Sequence, residues 1–425
     1  MSRLFSSEIH TASVSIGGRG SGDINIDYVP QAWDEHAVQG YLDIWKEKMR
    51  AVTEAANRRV AALMVSSRPV LTDIKTASEC VPGMGVRKIL VPGPPCEYSA
   101  LGAAVRRSAT AAAVYEGWAR DAAEAERMLA AGEIAVDSAD CHSASAARAS
   151  VISPSMPVFC VSDRAAGIFC YAPAIRGSSD AQEMISDETQ AVPQLREALL
   201  EAGHMDIFRI ANEGLSSGDD CCVRTAYSES LFRDSIIKEC MKQDVRMTER
   251  LFEYLYDGTV FLQLFTAAVR AMTAICRNEE DCSYITSYCC NGRAVGIRIS
   301  GKSDEWITCE LGKDIVCGDE LICELAGAGT AALCGSPKLL GMIGTGLSEA
   351  MEMMYDSYRA SDNYLENLNL PYSGEPGSPL FLDYIKMIRT SCTLRFVCPD
   401  GGSASVTDLG SSLLSAALKL FVSGR

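Results

Sequence analysis

Several short stretches of this chain carry side chains suited to holding or transforming a small anion. In Ser150-Val-Ile-Ser-Pro-Ser-Met-Pro157, Pro154 and Pro157 stand three residues apart. That spacing bars a helix or a central strand and holds Ser153 and Met156 extended. Ser153 and Ser155 thus offer hydroxyl and N–H groups on a stiff turn, suited to a ligand wall and equally to a structural corner. Asp219, Asp220 and Arg224 lie together between two helical patterns. They can line a polar site, or an aspartate can cap a helix with Arg224 one turn on. Alternation over 293–299 puts Val295, Ile297 and Ile299 on one strand face and Arg298 and Ser300 on the other. Such an arginine is ordinarily solvated, but it can also grip a carboxylate or phosphate bidentately. Leu325-Ala-Gly-Ala-Gly-Thr-Ala-Ala332 has the G-x-G-x-x-A spacing, in which Gly327 and Gly329 bring backbone N–H groups to an anion at a helix start. It lies late in the chain, and no clear βαβ unit opens there. His142, next to Cys141, has no partner at ligand spacing, so a structural role serves it as well.

Composition narrows the classes. The chain has 425 residues, 48% of them hydrophobic, and a formal charge of −16. Nucleic-acid binding needs basic faces and is not expected. Against that acidic background an anionic substrate would need local arginines or backbone N–H groups. The 18 cysteines sit in apolar runs such as Phe159-Cys160-Val161, where reduced cysteine acts as a small hydrophobe. No C-x-x-C occurs and there are only four histidines, so neither a metal site nor a cofactor is expected. The G-x-S-x-G, H-E-x-x-H and Walker patterns are absent, which sets aside triad hydrolases, zincins and P-loop enzymes. The N-terminus lacks a signal-peptide core, and the apolar run 260–276 is broken by Gln263 and Arg270. The expected location is cytoplasmic, without membrane contact.

The elements that must position these groups read as a mixed α/β and α+β chain of several domains. Residues 1–37, with the Gly-rich 16–23, read as a flexible leader. An N-terminal α/β domain spans 38–177, with helices at 38–65, 100–118 and 122–131 and strands at 69–74, 87–91, 157–161 and 167–171. Residues 178–276 read as an inserted, mainly helical subdomain. A C-terminal α+β domain spans 277–425, with strands at 293–299, 305–311, 320–325 and 393–397 and helices at 348–358 and 411–422.

Read together, Val81-Pro-Gly-Met-Gly85, Pro92-Gly-Pro-Pro95, Tyr115-Glu-Gly-Trp118, Ala131-Gly-Glu-Ile-Ala135, Ile152-Ser-Pro-Ser-Met-Pro157, Gly218-Asp-Asp220 with Arg224, Asn291-Gly292, Gly296-Ile-Arg298, Ser300-Gly301 and Gly318-Asp319 through Glu324 resemble one family. These are the YlbE/YahG-like proteins, one group of which is AllG, a subunit of the oxamate carbamoyltransferase of anaerobic allantoin breakdown. The resemblance covers roughly residues 50 to 400. It implies phosphorolysis of carbamoylated oxamate to carbamoyl phosphate and oxamate, alongside partner subunits. Such a reaction asks for donors to two anions and a means of polarising the carbamoyl carbonyl, not for a protein nucleophile, metal or cofactor. The implied catalytic groups are Arg298, Arg224, Asp219 and Glu324. Ser153, Ser155, Asn291, Ser300, Gly327, Gly329 and His142 are the implied substrate-binding groups. The chain departs from the pattern at Cys141-His142-Ser-Ala-Ser-Ala-Ala-Arg148, at Cys222 and at Cys398-Pro-Asp-Gly-Gly402. It therefore reads as a divergent member, and a non-catalytic structural subunit or a paralogue with another small anionic substrate is the alternative. Homo-oligomerisation is compatible with either.

Overall fold

The computed structural model describes residues 12–16, 35–176, 180–302 and 304–423. The helix Val260–Thr273 runs through its centre, with all 14 residues buried. A helix apolar on nearly every side has no solvent face and must lie inside. It packs against two antiparallel sheets and the 3₁₀ helix Asp319–Ala326. In the first sheet Pro69–Thr76 is flanked by Pro157–Asp163, with Ile168–Pro173 beyond it, and on its other side by Met205–Asp206. The second runs Ile285–Cys290, Ala294–Ile299, Glu305–Glu310, Ala12–Ile16. A short parallel pair, Lys88–Val91 with Ala135–Ser138, is connected through helices Ala103–Tyr115 and Ala122–Ala130, since parallel strands need a crossover. Two further strand pairs are Tyr364–Leu365 with Ser378–Pro379 and Arg395–Asp400 with Ser403–Asp408.

The helices between the sheets start where a polar side chain takes up free N–H groups. Asp121 accepts from the Glu124 N–H, Asp206 from Arg209 and Thr248 from Leu251. The apolar stripe of the helix Ile207–Ser216 meets the central helix in an aromatic group. Phe261 stacks near Phe265 at 6.2 Å between centroids, and Phe208 meets Phe265 edge-on at 6.0 Å.

Helix at about 49% and strand at 18%, in several small sheets, give the mixed α/β class expected from the sequence. Of residues 1–37, Ala12–Ile16 pairs as an edge strand and Glu35 opens a helix; the rest of that stretch lies outside the described residues. One apolar cluster draws on residues from Val38 to Phe421. The expected helix at 38–65 is two helices, Glu35–Lys48 and Arg50–Met64, interrupted at Met49. The expected strand at 320–325 is instead the 3₁₀ helix Asp319–Ala326. All eight of its residues are buried, and a short run buried on every side has no period to separate strand from helix. For the same reason Ile285–Cys290, buried throughout, gave no alternating signal. No single helix among the described residues is long and apolar enough to cross a membrane.

Candidate functional site: a buried arginine cluster

Besides two threonines, Gln263 and Arg270 interrupt the apolar central helix, and each must find a partner because an unpaired polar group inside costs several kcal/mol. Gln263 accepts from the Ala147 N–H at 2.9 Å and donates to Ser150 Oγ at 2.8 Å, fixing the loop that follows Ala135–Ser138. Arg270 is wholly buried and donates to Asp140 at the start of the same loop. Two more guanidiniums reach that carboxylate: Arg298 Nη1 at 2.5 Å from the strand Ala294–Ile299, and Arg277 Nη2 at 3.0 Å from just beyond the central helix. Ser287 Oγ, on Ile285–Cys290, donates to it as well. The Arg298 guanidinium also lies over the Trp306 ring, 5.0 Å from its centroid.

Burial by itself would raise the Asp140 carboxyl, but Arg270, Arg277 and Arg298 hold it well below the carboxylate range. Burial opposes the Arg270 charge, and Asp140 and Asp319 outweigh it, raising that pKa. Asp319 accepts from the Gly93 N–H at 2.9 Å and the Ala146 N–H at 2.8 Å. Burial pushes Asp319 up to about 7, against the pull of Arg270. Three guanidiniums thus converge on the Asp140 carboxylate, and Arg270 also faces Asp319. Four donors stay without a partner: Nε and Nη2 of Arg270, Nε of Arg277 and Nε of Arg298. Guanidinium N–H groups in surplus are the kind of donor that phosphates, carboxylates and charge developing on a carbonyl oxygen use.

The surrounding backbone is packed closely to build this place. A Cβ on Gly93 would come within 2.5 Å of the Asn291 backbone, one on Gly102 within 2.8 Å of Gly292, and one on Gly296 within 2.8 Å of Pro94. Glu320 accepts from the N–H groups of Arg148 at 2.6 Å and Gly318 at 2.9 Å, tying down the far end of the 139–150 loop. Segments that carry the sequence resemblance, Pro92–Pro95, Asn291–Gly292, Gly296–Arg298 and Gly318–Asp319, therefore converge around one buried polar centre.

The residues singled out in the sequence fall into separate networks. Arg298 belongs to the cluster; the strand bearing it is covered on both faces, so its side chain is not the solvated one expected of an outward position. Ser300 donates Oγ to the Cys276 carbonyl at 2.5 Å. His142, two residues past Asp140, bonds Asp137 at 2.9 Å and the Pro82 carbonyl at 2.6 Å, and the Asp137 bond raises its pKa. Asn291 closes a turn by accepting from Arg293 and Ala294 at 2.9 and 2.8 Å.

Asp219 accepts from Tyr227 and Ser228 N–H groups at 2.9 and 2.8 Å, at the start of helix Ala226–Lys242, with Arg224 Nε 3.8 Å away. Asp220 gathers the N–H groups of Cys222, Val223 and Arg224 at 2.8–3.0 Å. Glu324, pushed up to about 8 by burial, accepts from Thr330 N–H and Oγ1 and from Val397. Gly329 donates to the Asp220 carbonyl at 2.9 Å and abuts Glu324. This second neighbourhood unites Asp219, Asp220, Arg224, Glu324, Gly327 and Gly329. Its glycine turn lies between the 3₁₀ helices Asp319–Ala326 and Gly329–Gly335, not between a strand and an α-helix. The Gly327 and Gly329 N–H groups already serve the protein's own carbonyls, so the turn is not a free phosphate cradle. Ser153 and Ser155 form a third network. Glu116 accepts Ser153 Oγ at 2.6 Å and both the N–H and Oγ of Ser155 at 2.7 Å.

Asp140, Arg270, Arg277, Ser287 and the pairing of Asp319 with this centre escaped sequence reasoning. One signal was available: a lone Arg270 in an otherwise apolar helix requires a buried counter-charge. Among the described residues no group of three or more His, Cys, Asp or Glu side chains is placed to hold a metal ion.

The family model for the oxamate carbamoyltransferase subunit AllG matches residues 134–316, an interval holding Asp140 and all three arginines. The uncharacterized protein YahG of Escherichia coli (strain K12) is 25% identical over 398 residues, covering 85% of this chain and 83% of its own. The oxamate carbamoyltransferase subunit AllG of the same organism is 25% identical over 376 residues, covering 80% of this chain and 88% of its own. The crystal structure of a conserved protein of unknown function from Enterococcus faecalis V583 shares the fold, with a TM-score of 0.80 at 22% identity over 87% of this chain and 98% of that one. The family match over 134–316 and the two relatives aligned along most of its length make this chain similar, at 25% identity, to the AllG-like proteins.

Proposed function

We propose that the chain is a cytoplasmic subunit of a carbamoyltransferase assembly and that the Asp140–Arg270–Arg277–Arg298 cluster organises its anion site. The observation carrying this reading is the set of unpartnered guanidinium N–H groups around a single buried carboxylate. It lies inside the segment matched by the AllG family model. In the proposed reaction a phosphate oxygen attacks the carbamoyl carbon of carbamoylated oxamate. The C–O bond forms, the C–N bond to oxamate breaks, and the oxamate nitrogen takes up a proton. Both partners are anions and the intermediate carries charge on the carbonyl oxygen, so fixed guanidiniums lower the barrier by being oriented beforehand. The test is phosphate release from carbamoyl phosphate, run in the reverse direction with and without oxamate, on the chain together with its partner subunits. Oxamate-dependent release that falls at least ~10-fold in Arg277→Gln supports the reading. Release unchanged in that variant removes the cluster from the chemistry.

A second reading has its own observation. Asp219, Glu324, Ser153 and Ser155 are each engaged in internal hydrogen bonds that close turns or cap helices. A chain whose polar groups serve its own scaffold suits a structural subunit that assembles with catalytic partners. Full transfer activity in the partner subunits without this chain's arginines would favour it.

A further inference from the structure

A cavity of about 540 Å³ opens away from the arginine cluster and shares no residue with it. Its walls come from the helix Arg50–Met64 (Thr53, Asn57, Arg58), from Trp45 on the preceding helix, and from Asp383 to Arg389 around the helix Tyr384–Arg389. The volume lies within the roughly 300–1,000 Å³ range of small-molecule sites.

The floor is internally satisfied. Asn57 Nδ2 donates to Ser283 Oγ at 2.9 Å and to Asp383 at 3.2 Å, Asn57 Oδ1 accepts from the Ser283 N–H at 3.0 Å, and Ser283 Oγ donates to Asp383 at 3.0 Å. The acidic groups of the wall are also engaged: Glu54 with Arg50 at 2.8 Å, and Asp362 with Lys386. What remains unpartnered is donor capacity. Trp45 Nε1 and Thr53 Oγ1 are buried beneath the surface with no hydrogen-bond partner among the described residues. Arg58 and Arg389 line the cavity, and neither takes part in a hydrogen bond or ion pair with a carboxylate among the described residues; Arg389 lies over the Trp45 ring at 5.7 Å. The two guanidiniums call for a ligand rich in acceptors and negatively charged. A cation would meet only carboxylates that already have partners.

We propose that this cavity is a second small-molecule site, taking a small carboxylate- or phosphate-bearing anion between Arg58 and Arg389, whose guanidinium lies over the Trp45 ring. The test is intrinsic-fluorescence titration of the full chain with inorganic phosphate and, separately, with oxalate. The proteins compared are wild type, the double variant R58Q/R389Q, Trp45→Phe and Arg277→Gln. Arg58 and Arg389 are exposed at the surface, so their loss leaves the fold intact. The expected result is a saturable signal for at least one anion, weakened about 10-fold or more in R58Q/R389Q, abolished in Trp45→Phe and retained in Arg277→Gln. The anion that binds more tightly identifies the carboxylate or phosphate source. Binding that ignores R58Q/R389Q, or no saturable signal with either anion, overturns the proposal. Weakening in Arg277→Gln alone assigns the anion to the buried cluster, which overturns this site and leaves the reading of the cluster standing.

Discussion

Replacing Asp140 by Asn keeps the side chain's shape but removes the carboxylate on which Arg270, Arg277 and Arg298 converge. Charge centres about 4 Å apart at an effective dielectric of ~20 attract by roughly 4 kcal/mol, so three such pairs amount to about 12 kcal/mol before any offset. Taking the carboxylate and the guanidiniums out of water offsets much of this. Breaking a buried ion pair from one side costs about 3–5 kcal/mol, because the partner charges remain inside uncompensated. Here three like charges are left facing each other, which puts Asp140→Asn at the upper end of that range. The assay is urea denaturation followed by tryptophan fluorescence, for which Trp306 beside Arg298 is a local reporter. With slopes of a few kcal/mol per molar, the midpoint should fall by at least ~1 M, and sulfate should restore part of the loss by occupying the vacated charge. A variant as stable as wild type, or one indifferent to sulfate, would refute the view that the arginines depend on this carboxylate.

Glu116→Ala should cost about 1–3 kcal/mol in the same denaturation assay, since it leaves the buried Ser153 hydroxyl unpartnered; Ser155→Ala, at an exposed position, should cost much less. Gly296→Ala should lower stability by about 1–3 kcal/mol through overpacking, because its Cβ would meet Pro94 at 2.8 Å and Trp306 at 2.9 Å; thermal unfolding reads this directly. Stability should also fall as pH rises from 5.5 to 8.5. Burial pushes Glu229 and Glu324 up to about 8 and Asp319 to about 7, so the folded chain keeps protons that unfolded carboxylates, near 4, have released. That contribution is complete below pH ~4 and lost as pH climbs through 7 to 8, and His142, raised by Asp137, acts in the same sense. A melting temperature that rises across this interval would contradict those assignments.

Much of the scaffold was legible because its signals are local. Asp121 before an alanine-rich helix, the alternating strand around Arg298 and the breaks between the helices of 180–276 follow from capping, period and turn chemistry. Among the elements missed are some with no period to show, such as Ile285–Cys290 and Asp319–Ala326, buried on every side. The centre was harder to see, since Asp140, Arg270 and Arg298 are 130 and 158 positions apart from Asp140 outward and only tertiary packing joins them. Asp219 and Asp220 illustrate the opposite case: their spacing suggested a polar site or a cap, and the structure shows them taking up N–H groups at a helix start and a turn. Two residues of the cluster stand out in the sequence: Arg298 on its alternating strand, and the charge at Arg270 that interrupts an apolar run.

The most direct measurement is thermal unfolding of the purified chain with phosphate, oxamate, carbamoyl phosphate and their pairs, in R58Q/R389Q, which removes binding at the second cavity, and in the same background carrying Arg277→Gln. A ligand that binds only the folded state must raise the melting temperature, by an amount equivalent to about 2.7 kcal/mol at a hundredfold excess over Kd. The account expects an upward shift with phosphate and oxamate together that is lost in Arg277→Gln. A shift that survives in Arg277→Gln, or none with any of these anions, would contradict a substrate site at the buried arginines.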